Sequence, residues 1–335
     1  MTPAPPAVPH LDRIALIAVL LTPLLLLHAH GIAEGTIAVA GLCFLARSAL
    51  ARDWAWLRTG WWRVGLAWWG WLVVCSLPVP ALGLGEGGRH SLLQALATIR
   101  FLIFAVALEH SILRTAAARR WLFGLVAAAA IYIEAQSLIQ WLFGRNLYGD
   151  KAAWGDVLTG PFDRPRASAP LARLLLPVLP PAMTRLLGRP GVAPKLAAAV
   201  LLVVALSILI LIGQTVPVLL ACFGLAVTGL LLPRLRPAVL ATAVAVAVLI
   251  PGLVVISPPT YGRLVSRAQH ITENFATSQY GELYARALEI GLRNPLTGLG
   301  FDGFGTGCPE PEYLPQLRPQ PAGRGRCEDL LGPSA

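Results

Sequence analysis

Apolar stretches recur along this chain, and each is about as long as a lipid bilayer is thick. A helix rises about 1.5 Å per residue, so roughly 20 apolar residues cross a hydrocarbon core of about 30 Å. The sequence therefore predicts an all-α fold, a polytopic bundle of about nine transmembrane helices. The predicted spans are Ile14–Ala29, Ile32–Leu50, Trp61–Pro80, Leu92–His110, Trp121–Phe143, Leu171–Leu187, Leu196–Ile212, Val216–Leu232 and Ala238–Ile256.

The composition excludes a water-soluble fold. Hydrophobic residues make up 56% of the 335 residues and charged residues only 13%, with a mean hydropathy of +0.66. The hydrophobic fraction and mean hydropathy are higher, and the charged fraction lower, than in soluble globular domains. The net charge of +10 comes mostly from basic residues in short connections between spans, where the positive-inside rule explains them. The sequence thus predicts the lipid bilayer as a partner, and no nucleic acid.

Basic residues fall in every second connection, which gives the chain an orientation. The positive-inside rule places those connections and the N-terminus in the cytoplasm. The chain then divides into a transmembrane bundle, 1–257, with an outer loop at 144–169, and an outer tail, 258–335. In a bacterium with two membranes, the outer side is the periplasm. The predicted cytoplasmic basic residues are Arg47, Arg52, Arg58, Arg63, Arg114, Arg119, Arg120, Arg185, Arg189, Lys195, Arg234 and Arg236.

One segment of the tail, about 278–293, is strongly amphipathic. Its charged residues, Glu282, Arg286, Glu289 and Arg293, recur at helical spacing along one stripe, and apolar residues face the other way. We expect this helix to lie flat on the outer membrane surface.

Charged residues inside spans are costly in lipid and therefore informative. Arg100 lies midway along the fourth span and Glu134 midway along the fifth. Both should face the bundle interior, either as the polar wall of a substrate cavity that Gln136 and Gln140 extend, or as a structural ion pair.

Histidine and cysteine residues give no metal-binding pattern, so no metal ion or other cofactor is predicted. Three of the five cysteines lie in apolar spans. The other two, Cys308 and Cys327, fall in the outer tail, where an oxidising compartment favours a disulfide between them.

Arginine is concentrated in the outer loop, which contains Arg145, Lys151, Arg164 and Arg166. Guanidinium groups bind phosphate oxygens in pairs and stay charged when they are partly desolvated. The cluster therefore favours binding of a lipid-linked diphosphate. The alternative is that these residues balance the aspartates of the loop and contact lipid headgroups.

Three segments resemble the O-antigen ligase and polymerase family of bacterial envelope glycosyltransferases. Leu158 to Arg166 reads LTGPFDRPR, like the outer-loop signature of the family, and Gly213-Gln214 resembles its tight hairpin. Ser278 to Phe301 resembles its amphipathic helix followed by a glycine turn. The resemblance covers roughly residues 144–308.

The resemblance implies a metal-independent transferase in the bacterial inner membrane. It implies transfer of a glycan from undecaprenyl diphosphate to an outer acceptor, which is a lipid A core sugar, a growing polysaccharide or a protein hydroxyl. Arginines of the family hold the leaving diphosphate, and here Arg164, Arg166 and Arg145 are the candidates.

The resemblance also exposes two departures. Val157 and Thr215 stand where the family commonly has arginine, and Arg164 and Arg166 offer a substitute for the first only. The catalytic histidine of the family lies beyond the amphipathic helix, so we expect the sequence to be truncated or diverged before it. His270 lies on the right side of the membrane but in the wrong element, so the catalytic base stays unknown and His270 is only a candidate. The alternative functions are a transporter of lipid-linked or anionic substrates and a non-catalytic remnant.

Overall fold

A computed structural model describes residues 7–79, 87–153, 157–266, 269, 273–275, 279–308 and 310. Most of this part of the chain is helical, and each predicted span coincides with one or two helices over most of its length. The predicted all-α, polytopic membrane fold is thereby confirmed. The helices are α1 (Ala7–His28), α2 (His30–Ala51), α3 (Gly60–Cys75), α4 (Gly88–Ala97), α5 (Ile99–Ala107), α6 (Ala116–Phe143), α7 (Ser168–Leu187), α8 (Val192–Leu211), α9 (Thr215–Leu231), α10 (Arg236–Ile256), α11 (Pro258–Tyr261), α12 (Gln279–Arg293) and α13 (Gly303–Gly307).

Within the described residues, six helical segments are long and apolar enough to cross a membrane. The other three predicted spans fall short for different reasons. α3 and α9 have only 16 and 17 residues, and α7 has 20 residues but includes three prolines and is less apolar. The count of nine spans therefore stays a prediction. The six segments are Val8–His28, His30–Ala51, Gly88–Ile112, Ala116–Phe143, Val192–Leu211 and Val239–Ile256.

The outer surface of these helices is apolar, as a lipid environment requires. On α10, for example, the side chains of Leu240, Val244, Val248 and Val255 are between 57% and 87% exposed. A protein in water rarely leaves such a continuous apolar surface uncovered. The surface of α10 is suited to the hydrocarbon core of a bilayer, because lipid tails are as apolar as aliphatic side chains.

The chain folds into two compact units, and the first comprises residues 1–18, 35–115 and 273–335. In this unit Asp12 forms an ion pair with Arg47, whose Nε lies 3.0 Å from Asp12 Oδ1, and it accepts a hydrogen bond from Ser111 Oγ at 2.8 Å. These residues lie at ends of α1, α2 and the α4–α5 span that the predicted topology assigns to one side of the bilayer.

The tail contributes α12 and a glycine turn to the first unit. The backbone N–H of Phe301 donates to the hydroxyls of Ser76 and Ser91, both at 3.0 Å. Arg286 of α12 is only 4% exposed and donates to the Cys308 carbonyl at 2.9 Å. The sequence predicts that Arg286 belongs to an outward polar stripe, but its side chain is buried because it donates to the carbonyl of Cys308, the residue after α13. The exposed face of α12 carries Tyr284, Leu288 and Leu292 instead.

The second unit comprises residues 19–34 and 116–272. α7 is at its centre and contacts α6, α8 and α9. Its buried face includes Leu171, Leu175 and Leu179, which belong to one apolar core together with residues of α6 and α8. The long loop between α6 and α7 folds back against this core and positions the candidate site. The boundary predicted at residue 257 stays a prediction, because these units are defined by contacts and not by side of the membrane.

Candidate functional site

Gln140, near the end of α6, fixes the middle of the outer loop. Its Oε1 accepts the backbone N–H groups of Thr159 at 2.8 Å and Gly160 at 3.1 Å. Its Nε2 donates to Thr159 Oγ1 at 2.9 Å and to the Asp150 carbonyl at 3.2 Å. The side chain is 1% exposed. All four hydrogen-bonding positions of the amide are therefore used by the loop.

Asn146 organises the first turn of the loop, residues 146–150. Its Oδ1 accepts the backbone N–H groups of Tyr148 and Asp150 at 3.0 and 2.8 Å. Its Nδ2 donates to the Gly160 carbonyl at 2.7 Å, which ties this turn to the second half of the loop. Gln136 lies one helical turn before Gln140, and its Oε1 accepts the backbone N–H of Leu147 at 3.1 Å.

Gly160 allows the loop to approach α6 closely. Its φ of +60° lies in the left-handed region, which L side chains rarely adopt. A Cβ atom at this position would lie 2.9 Å from Ser137 Oγ and 3.0 Å from Ala167 Cβ. A larger residue would therefore push the loop off α6.

Gln214, in the hairpin between α8 and α9, holds the far end of the loop. Its Nε2 donates to the Pro165 carbonyl at 2.6 Å, and its Oε1 accepts a short hydrogen bond from the Ser168 hydroxyl. Residues 161–166, which we call the arginine turn, are thus fixed at both ends. Within the turn, the Arg166 N–H donates to the Arg164 carbonyl at 2.7 Å.

The side chains of Arg164 and Arg166 are exposed on this fixed backbone. Arg145 is also exposed, at the base of the first turn, where it forms an isolated bridge with Lys151. Among the described residues, no loop arginine forms an ion pair with a loop aspartate. Such a rigid backbone with available guanidinium groups is suited to an anionic ligand with several oxygens.

The residues predicted to line a cavity have different surroundings. Gln136 and Gln140 are buried in contacts with the loop, so neither amide is turned to an open cavity. Arg100 belongs to the first unit, where its guanidinium lies 4.9 Å from the ring centre of Phe101. Glu134 belongs to the second unit, and within the described residues its buried Oε1 has no hydrogen-bond partner. The cavity roles of Arg100 and Glu134 stay predictions.

Two predicted residues, His270 and Cys327, lie outside the described residues. Cys308 is disulfide-bonded, and its pairing with Cys327 stays a prediction. The described residues include no group of three or more side chains that could hold a metal ion.

Sequence reasoning did not identify Asn146 and Gln214 as parts of the site. Each stands beside a glycine-rich turn, a position typical of side chains that hydrogen-bond to nearby backbone. Such a position predicts a local turn only. The hydrogen bonds that hold the loop join distant residues, because Asn146 donates to Gly160, 14 positions away, and Gln214 donates to Pro165, 49 positions away.

Comparison with known families concerns the later part of the chain, which includes Gln214 but not the arginine turn. Residues 199–324 match the model of the family described as O-antigen ligase (Wzy_C), just over a third of the chain. No curated protein and no solved structure matches the chain. The matched segment includes the hairpin with Gln214, then α9, α10 and α12. The match confirms the resemblance to the O-antigen ligase family that the sequence motifs indicated, and it does so for residues 199–324.

Proposed function

We propose that this protein is a glycosyltransferase of the inner bacterial membrane that moves a glycan from undecaprenyl diphosphate to an acceptor on the periplasmic side. The acceptor is a lipid A core sugar, a growing polysaccharide chain or a protein hydroxyl. The observation that carries the proposal is the arginine turn, whose backbone is held at both ends while Arg164 and Arg166 are exposed. The family match supports the general class, a ligase or polymerase of envelope glycans.

In this reaction the acceptor oxygen bonds to the anomeric carbon while the bond from that carbon to the diphosphate oxygen breaks. Negative charge develops on the leaving diphosphate, and the acceptor hydroxyl gives its proton to a general base. Arg164 and Arg166 stabilise the developing charge, because guanidinium groups already in place need no reorganisation during the reaction. Arg145 adds a third positive charge on the same loop.

Binding of the bare lipid diphosphate tests the first step. The full chain is placed in nanodiscs, and its affinity for a polyprenyl diphosphate is measured by native mass spectrometry or scintillation proximity. We expect the double variant Arg164→Ala/Arg166→Ala to bind at least about tenfold more weakly, since each charge-assisted hydrogen bond contributes about 1.5–3 kcal/mol. The matched control is Arg189→Ala, which removes an exposed arginine from the α7–α8 connection. Equal affinity of the folded double variant and the control would overturn the proposal.

Transfer itself is tested in membranes that contain lipid-linked glycan and acceptor. We expect Arg166→Ala to abolish transfer without changing the amount of inserted protein. The transporter alternative makes a different prediction, namely movement of lipid-linked glycan across liposomes that contain the wild-type chain. Movement without transfer would favour that alternative over the glycosyltransferase.

A further inference from the structure

Four side chains of the second unit meet beside the arginine turn. The ring of His28, the last residue of α1, lies 5.7 Å from that of Phe162 and 6.0 Å from that of Tyr132. The Tyr132 hydroxyl is 2.6 Å from the Tyr148 hydroxyl and 3.4 Å from His28 Nε2. We call these four residues the aromatic cluster. They come from α1, from α6 and from both turns of the outer loop.

Core packing accounts for only half of the aromatic cluster, because Tyr132 and Phe162 pack against the apolar core of the unit and His28 and Tyr148 do not. Tyr148 is 62% exposed, and the side chain of His28 is exposed as well. Each phenol has one donor and two acceptor positions, so the contacts of the two hydroxyls with each other and with His28 Nε2 leave acceptor positions unused on the phenols. The cluster therefore presents aromatic ring faces and hydrogen-bonding groups to the same ligand.

This combination is the chemistry that binds sugars. The C–H face of a pyranose packs on an aromatic ring, and its hydroxyls hydrogen-bond to the polar atoms of tyrosine and histidine. No carboxylate or basic side chain other than the imidazole belongs to the cluster. A neutral saccharide suits it better than a second anionic group.

The position of the cluster indicates which sugar it binds. Phe162 lies within the arginine turn, two residues before Arg164, and Asn146 ties the turn that carries Tyr148 to Gly160. In a lipid-linked donor, the first sugar is covalently attached to the diphosphate. A diphosphate held by Arg164 and Arg166 therefore brings that sugar beside Phe162. We propose that the aromatic cluster binds the first sugar of the donor, a proposal that rests on the proposed function.

The test compares two lipids on the full chain in nanodiscs, a polyprenyl diphosphate and the same lipid with one N-acetylhexosamine. We expect the wild type to bind the sugar-bearing lipid more tightly, and Tyr148→Ala to weaken that binding by about tenfold while the bare diphosphate binds as before. Tyr148→Phe keeps the ring and should retain part of the preference. The matched control is Tyr284→Ala, because Tyr284 of α12 is also 62% exposed.

Several outcomes would overturn the proposal. If Tyr148→Ala weakens binding of both lipids equally, or of neither, the cluster does not recognise the sugar. If Tyr148→Ala and Tyr284→Ala weaken binding of the sugar-bearing lipid to the same extent, Tyr148 acts only as a lipid-interface residue. The proposed function fails separately, when Arg164→Ala/Arg166→Ala leaves binding of the bare diphosphate unchanged. A wild type that binds neither lipid contradicts both proposals.

Discussion

Replacing Gln140 with leucine should release the outer loop from α6. Leucine is close to glutamine in volume but offers no hydrogen-bonding atom. The variant leaves the backbone N–H groups of Thr159 and Gly160 without their acceptor. It also removes one of two donors to the Asp150 carbonyl, which keeps the hydrogen bond from the Asn146 N–H. These groups lie in a buried region, where an unsatisfied polar group costs about 1–3 kcal/mol.

The size of the effect follows from the number of hydrogen bonds. Gln140 makes four, and each contributes about 1 kcal/mol net. The loop can open and let water reach its backbone, so the full penalty of buried unsatisfied groups is not reached. We therefore expect the free energy of loop opening to fall by about 2–4 kcal/mol, which raises the opening equilibrium by about 30-fold or more.

Hydrogen exchange with mass spectrometry measures this opening directly. In nanodiscs, peptides that cover residues 157–167 should exchange at least about 30-fold faster in Gln140→Leu than in the wild type, while peptides from α8 stay protected. Leu138→Ala, on the exposed side of the same helix, is the control and should leave the loop unchanged. Unchanged exchange at Thr159 and Gly160 in folded Gln140→Leu would refute the assignment of Gln140 as the anchor of the loop.

Three further changes test the contacts at other places. Gln214→Leu removes the second anchor, so exchange should rise about tenfold across 164–169 and stay slow at 157–160. Gly300→Ala should lower the free energy of unfolding by about 2–4 kcal/mol, measured by thermal denaturation, because the φ of Gly300 is +92° and a Cβ there would lie 2.9 Å from Ser91 Oγ. The control Gly298→Ala should lower it by only about 1 kcal/mol, since Gly298 has a φ of +59° and open space around its Cβ position. Arg286→Met leaves a buried carbonyl without its donor and should cost about 2 kcal/mol, whereas Arg293→Met, in an exposed pair, should cost under about 0.5 kcal/mol by the same assay.

The sequence predicts the helices well because hydropathy alone largely determines where a chain crosses lipid. It also locates the arginine turn, since LTGPFDRPR is dense in turn residues and charge. It does not predict the anchors. Gln136 and Gln140 stand one helical turn apart, a pattern that fits a polar cavity and a docked loop equally well. Which of the two forms depends on backbone groups 10 to 20 residues away, and periodicity contains no information about them.

Gln136 and Gln140 of α6 and the backbone of the outer loop satisfy each other's hydrogen-bonding groups. Two buried amides near the end of a membrane helix are costly without partners, and the loop backbone supplies those partners. The loop is therefore ordered as soon as α6 and α7 are packed, before any donor arrives. A flexible loop would lose conformational entropy when it closed on a diphosphate, and affinity would fall accordingly. The anchors lie on both sides of Arg164 and Arg166, so the binding of a diphosphate that we propose for the arginine turn does not require that loss. Weakening either anchor should thus reduce donor affinity even though neither glutamine touches the donor.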